Sequence, residues 1–215
     1  MARKRSKSLM SSRSRITRQL GAAIFAVAVI PSIALSHIPI PPKHPSEIGR
    51  RTVTTAVPDF KLIDQNGKHF QFSSKRGNLV LATFIFTTCP DVCPLFTAKF
   101  AAIQRALDER KFKDYWLLSI TTDPEQDSAA ALKDYANRFK ADFAHWSFLT
   151  GTRAELTKTW KAFGVNVTRT ETGQVFHTAL TTLIDRRGNR RVDYYGDKWL
   201  DQEVLKDIHW LGAQK

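Results

Sequence analysis

Apolar positions along this chain switch repeatedly between two spacings from residue 58 onward, and the switching predicts a layered α/β domain. Leu79 to Phe86 is an unbroken run of apolar or small residues, the pattern of a strand buried on both faces in the middle of a sheet. Tyr115–Thr121 and Trp146–Leu149 read as two further strands. Between them Phe96, Phe100, Ile103 and Leu107, and then Leu132, Tyr135 and Phe139, each share one helical face, the second helix being capped by Asp127 or Ser128. A third helix begins near Arg153 and carries Leu156, Trp160 and Phe163. Asp59–Ile63 and His69–Phe72 flank Asn66-Gly67 as one hairpin, and Ala179–Asp185 and Arg191–Tyr195 flank Arg187-Gly188-Asn189 as another. Residues 164–176 are polar and read as an inserted loop or hairpin turning at Thr172-Gly173. Leu200, Val204, Leu205, Ile208 and Leu211 make a closing helix. The order is β-β-β-α-β-α-β-α-β-β-α, with no internal repeat.

Upstream of this domain the pattern changes. Leu20 to Leu35 is an apolar run behind a basic, acid-free start, so residues 20–36 read as a transmembrane anchor or a signal segment, Ala34-Leu35-Ser36 resembling a small-x-small cleavage site. The positive-inside rule keeps residues 1–19 on the cytoplasmic side and sends the rest across. Residues 37–57 contain Pro39, Pro41, Pro42 and Pro45 and read as an extended linker. At about 3.1 Å per residue, such a linker reaches about 60 Å from a bilayer. The domain proper is then 58–215. The expected place is a bacterial inner membrane with the domain facing the periplasm, the alternative being a mitochondrial inner membrane facing the intermembrane space.

The net charge of +13 at first suggests nucleic acid as a partner. Seven of the 33 basic residues (Arg3, Lys4, Arg5, Lys7, Arg13, Arg15 and Arg18) lie in the tail, however, which leaves 26 basic against 20 acidic residues for the remainder. No dense basic block occurs there beyond pairs such as Arg186-Arg187 and Arg190-Arg191, which suit a solvated hairpin. Nucleic-acid binding is not expected.

The chain has two cysteines, Cys89 and Cys93, each followed by a proline, and both lie where the buried strand feeds the first helix. Open α/β sheets bind ligands beyond the carboxyl ends of their strands, and a helix N-terminus there favours thiolate over thiol. Pro94 suits the first helical position, and the prolines bias the residues before them away from a helical start. Three readings compete: two inert buried cysteines, a redox dithiol, or a pair of soft metal ligands. With the dithiol after a central strand, the element order is thioredoxin-like.

Six histidines are available as a further ligand. His37 and His44 lie in the linker, His69 on the first hairpin, His145 beside a strand start and His209 on the last helix. His177 ends the polar insertion and starts a strand, a place from which its ring can approach the cysteine loop. Two thiolates and one imidazole suit Cu(I), zinc or low-coordinate Cu(II), but tetrahedral zinc wants a fourth ligand and no other cysteine exists, so copper is the better fit. Asp91, between the cysteines, reads as a cap or solvated residue or else as one that accepts loop N–H bonds or faces an acceptor, and Asp123 as the shaper of the turn that Pro124 begins or else as a residue near the site.

TFIFTTCPDVCP, the pair Asp123-Pro124, and FHTALTTLID around His177 resemble the Sco/SenC family of copper-binding, thioredoxin-fold proteins over roughly residues 57–213. The resemblance implies that Cys89, Cys93 and His177 bind copper, with Cys89 and Cys93 also acting as a redox dithiol. It further implies a membrane-tethered metallochaperone or thiol reductant for the dinuclear copper centre of cytochrome c oxidase subunit II. Other copper carriers or thiol reductants are then further partners. Two positions depart from the family pattern: Phe176 stands where an acidic residue usually precedes the histidine, and Thr88 where a histidine often precedes the first cysteine. The alternative is a tethered thiol–disulfide oxidoreductase or a redox or copper sensor. Against generic thioredoxin-fold reductases, no proline occurs after Pro124 and the spacing is CxxxC.

Overall fold

The computed structural model of the chain describes residues 49–214. Their elements are β1 (Arg50–Ala56), β2 (Lys61–Asp64), β3 (His69–Gln71), β4 (Leu79–Ile85), α1 (Val92–Glu109), β5 (Tyr115–Thr121), α2 (Ala129–Arg138), β6 (Trp146–Thr150), α3 (Arg153–Phe163), β7 (Val167–Arg169), β8 (Val175–His177), β9 (Leu180–Ile184), β10 (Asn189–Tyr195) and α4 (Asp201–Gly212). Eight strands form one mixed sheet in the order β1-β10-β9-β4-β5-β6-β2-β3, while β7 and β8 form a separate two-stranded ribbon.

At the centre, β4 runs parallel to β5, from Leu79 opposite Tyr115 to Ile85 opposite Thr121, and antiparallel to β9. All seven residues of β4 are buried, as an uninterrupted apolar run requires. The pleat divides them. Leu79, Leu81 and Ile85 join the core under α1, α2 and α4, whereas Val80, Ala82 and Phe84 join the core under α3 and the β2–β3 hairpin. Each fully buried Val, Leu, Ile or Phe among them stabilises the fold by about 1.5–3 kcal/mol. The result is the expected thioredoxin-like arrangement of a central sheet with helices on both faces.

Two details differ from the sequence reading, the end of the linker and the start of α1, and two decide between alternatives it left open. The linker assigned to residues 37–57 ends early, because Arg50–Ala56 pairs with β10 as an edge strand. Most of its side chains are exposed, so backbone pairing and the Arg50–Asp207 contacts (2.9 and 2.6 Å) hold it, and no alternation betrayed it. The polar insertion contains a hairpin, β7–β8, whose second strand includes His177. Ser128 caps α2, accepting from Ala131 N, while Asp127 is buried elsewhere. Finally, α1 starts at Val92, so Cys93 is helical and Pro94 occupies the third helical position. First-turn N–H groups lack helical partners in any case, so the ring costs no hydrogen bond there.

Residues 1–19, the apolar segment 20–36 and the linker up to residue 48 lie outside the described residues. Among those described, no helix is long and apolar enough to cross a membrane.

Candidate metal centre

After β4 the chain passes through Phe86 and turns at Thr87–Pro90 before entering α1. Cys89 N donates to Phe86 O at 3.3 Å. The turn is pinned from below by Asp127. Thr87 donates to that carboxylate through both its backbone N (3.1 Å) and its hydroxyl (2.5 Å), and Thr121 donates its hydroxyl to the other oxygen at 2.5 Å. Asp127 is fully buried, and burial pushes its carboxyl above the usual range against the pull of these hydrogen bonds.

Both cysteines are free thiols. Cys93 is fully buried within the first turn of α1, where Thr97 donates to its carbonyl at 2.9 Å. Cys89 is partly exposed above it. The Cys89 thiolate is favoured by the neighbouring Cys93 thiol and by the backbone N–H groups of Cys93, Asp91 and Val92 at the start of α1. Those donors hold the Cys89 thiol down at about 6, led by the hydrogen bond from Cys93 and opposed by burial. The same contact, followed by burial, pushes the Cys93 thiol far up. At neutral pH the pair is therefore one accessible thiolate resting on a buried thiol.

His177 closes β8. Its Nδ1 lies 3.0 Å from Thr178 O, and a carbonyl can only accept, so Nδ1 carries the proton and Nε2 keeps a free lone pair. The ring stands edge-on to Phe86 at 5.9 Å, and burial pushes its pKa down, so it is neutral near pH 7. Cys89, Asp123, Phe176 and His177 line one cleft of about 500 Å³. The cleft thus brings Cys89 and His177 to a common space, with Cys93 beneath. It does not gather them into a closed cluster: among the described residues, no three His, Cys, Asp or Glu side chains stand close enough to hold a metal ion. The donor set itself, two sulfurs in contact and a bare imidazole nitrogen, fits a soft ion such as copper.

Of the remaining histidines in the domain, His145 stacks on Tyr115 at 4.8 Å, His69 lies on β3 and His209 on α4. A roomier hollow of about 890 Å³ beside α1 and α4 contains no cysteine. Asp91 is the N-cap of α1 by position, yet its side chain makes no capping hydrogen bond. Asp123 shapes its turn as expected, its carbonyl accepting from Gln126 N and Asp127 N, and in addition its carboxylate pairs with Arg169 of β7.

The SCO1/SenC family profile matches residues 49–212. The chain belongs to the SCO1/SenC family. A SCO2-like protein of Rickettsia conorii is 36% identical over 145 residues, covering 65% of this chain and 69% of that relative. Among solved structures, Bradyrhizobium japonicum ScoI with copper bound is similar at 32% identity and a TM-score of 0.63, over 73% of this chain and 99% of that one. BsSco is described as a member of the Sco family of cytochrome c oxidase assembly proteins in which a disulfide switch was identified. It is similar at 30% identity and a TM-score of 0.67, over 77% of this chain and 98% of that one.

Phe176 and Thr88 both line the cleft of this SCO1/SenC domain. Phe176 is 53% exposed on the ribbon beside His177, and Thr88 is exposed next to Cys89. An uncharged aromatic ring therefore occupies the rim beside His177. Sequence reasoning missed Asp127 and Arg169 as parts of the site, because their partners lie about 40 or more residues away along the chain.

Proposed function

We propose that this protein binds one copper ion through Cys89, Cys93 and His177 and passes it on during assembly of cytochrome c oxidase, the dinuclear copper centre of subunit II being the acceptor. The observation that carries the reading is a thiolate held on the N-terminus of α1, in contact with a second sulfur and facing the same cleft as an imidazole with a free Nε2. Solved relatives with copper bound support it. Partial exposure of Cys89 lets a cysteine or histidine of the acceptor displace these ligands one at a time. Oxidation of Cys89 and Cys93 to a disulfide would remove both thiolates, so metal load follows redox state. Residues 20–36 tether the domain to a bacterial inner membrane, with the cleft in the periplasm; the alternative is a mitochondrial inner membrane, with the cleft in the intermembrane space. The test is copper stoichiometry on the reduced protein: one copper per chain in the wild type, and retention lost in Cys89→Ser, Cys93→Ser and His177→Ala. Unchanged retention in all three variants refutes the reading.

A second reading, a thiol–disulfide reductant of the acceptor's cysteines, is favoured by the order of the two thiols. The accessible thiolate attacks the acceptor disulfide to form a mixed disulfide. Cys93 then gives up its proton and displaces the acceptor's second thiolate, so the acceptor gains two electrons and this protein becomes the disulfide. Disulfide turnover that survives His177→Ala in protein without copper supports this reading.

A further inference from the structure

The ribbon that carries His177 has little to hold it. Each of β7 and β8 is three residues long, Val175 is their one buried residue, and a lone two-stranded hairpin is at best marginally stable in water. Its firmest attachment is Arg169. The guanidinium Nη2 donates to Asp123 Oδ1 and, at 3.3 Å, to Glu125 Oε2, while Nη1 donates to Gly173 O at 2.8 Å within the ribbon's own turn. Glu125 is bonded in turn by Arg153 Nε of α3 at 2.8 Å. Nε of Arg169 is buried without a partner, so the attachment falls short of the guanidinium's full hydrogen-bond capacity.

Asp123 belongs to the turn that also fixes the cysteine loop. Its backbone N donates to Thr121 Oγ1 at 2.9 Å, Thr121 donates to Asp127, and Asp127 holds Thr87 two residues before Cys89. A continuous path of hydrogen bonds thus runs from the dithiol loop, through residues 121–127, to the ribbon bearing the imidazole. We propose that the Arg169–Asp123 ion pair is a latch that positions His177 relative to the two sulfurs. Arg169 and Asp123 are positioning residues on this account and touch no metal. A planar guanidinium engages Asp123, Glu125 and Gly173 O together, which a lysine ammonium cannot reproduce.

The test uses the full chain, reduced and metal-free, and follows backbone amide exchange in the wild type, R169Q, R169K, D123N and the D123N/R169Q double variant. Loss of a hydrogen bond to a charged group is expected to speed exchange of the β7 and β8 amides by about tenfold in R169Q and D123N. Amides of β4 and α1 keep their protection, R169K gives a smaller change, and the double variant is no worse than either single one. A second arm, which rests on the reading of His177 as a copper ligand, loads the same proteins with Cu(II). R169Q is expected to shift the visible absorption and to lose copper to a chelator about tenfold sooner, R169K partly restoring both, with the pH midpoint of Cys89 alkylation unmoved. Wild-type ribbon exchange in R169Q overturns the latch. So does an increase of equal size throughout the sheet in both R169Q and R169K, which marks general destabilisation. The two readings fail separately: copper binding untouched by His177→Ala sinks the ligand assignment alone, and the metal-free arm still decides the latch.

Discussion

Replacing Cys93 with alanine removes the leading cause of the low Cys89 pKa while leaving the helix N–H donors in place. Cys89 stands at about 6, against about 8.5 for an unperturbed thiol. A hydrogen bond to a charged group contributes about 1.5–3 kcal/mol, and one pKa unit corresponds to about 1.4 kcal/mol, so the variant should titrate about 1–2 units higher, near 7 to 8. The assay is the pH midpoint of iodoacetamide alkylation, or of thiolate absorbance, in reduced metal-free protein. The rate at a single pH is a poor readout, because a more basic thiolate is intrinsically more nucleophilic and offsets its smaller population. Stability follows the same linkage. A thiol whose folded pKa lies below its unfolded value adds stability that is complete above about pH 8.5 and is lost as pH falls through 6. In Cys93→Ala that window narrows from its acid side. A midpoint that stays at 6 would refute the reasoning and assign the whole depression to the N-terminus of α1.

Three other substitutions probe what holds the site. Asp127→Ala strands the Thr87 N–H and the buried Thr121 hydroxyl, and should cost about 2–3 kcal/mol in urea unfolding while raising exchange of the Thr87–Cys89 amides. Phe100→Ala empties a fully buried position between Trp146 (ring centroids 5.8 Å apart) and Trp199 (6.5 Å), and should cost about 3–5 kcal/mol with the urea m-value unchanged. Arg190→Met leaves the carboxylate of Asp193, 2% exposed, with only the Thr182 hydroxyl at 2.6 Å, and should cost about 3–5 kcal/mol at neutral pH.

The central strands and helices were legible because burial imposes a period. β4 is covered on both faces and so reads as a continuous apolar run, and α1 repeats Phe96, Phe100, Ile103 and Leu107 along one side. β1 was missed for the converse reason: its side chains are mostly in solvent and its stability comes from backbone pairing, which leaves no mark on residue choice. The cysteines stood out through their spacing and their place between strand and helix. Their inequality did not, since it arises from Cys93 lying inside the first helical turn, two residues further in than proline preferences suggest. Asp127 sits next to Ser128 and looked like an alternative cap; only the folded chain brings Thr87 to it. Arg169 read as one more polar residue of an insertion until the ribbon placed it on Asp123.

Copper K-edge absorption on the reduced, copper-loaded full chain tests the central claim most directly. The account expects two sulfur ligands and one imidazole nitrogen per copper, with the nitrogen scattering lost in His177→Ala and one sulfur lost in each cysteine variant. A sulfur-only shell, or a nitrogen contribution that persists unchanged in His177→Ala, would contradict it.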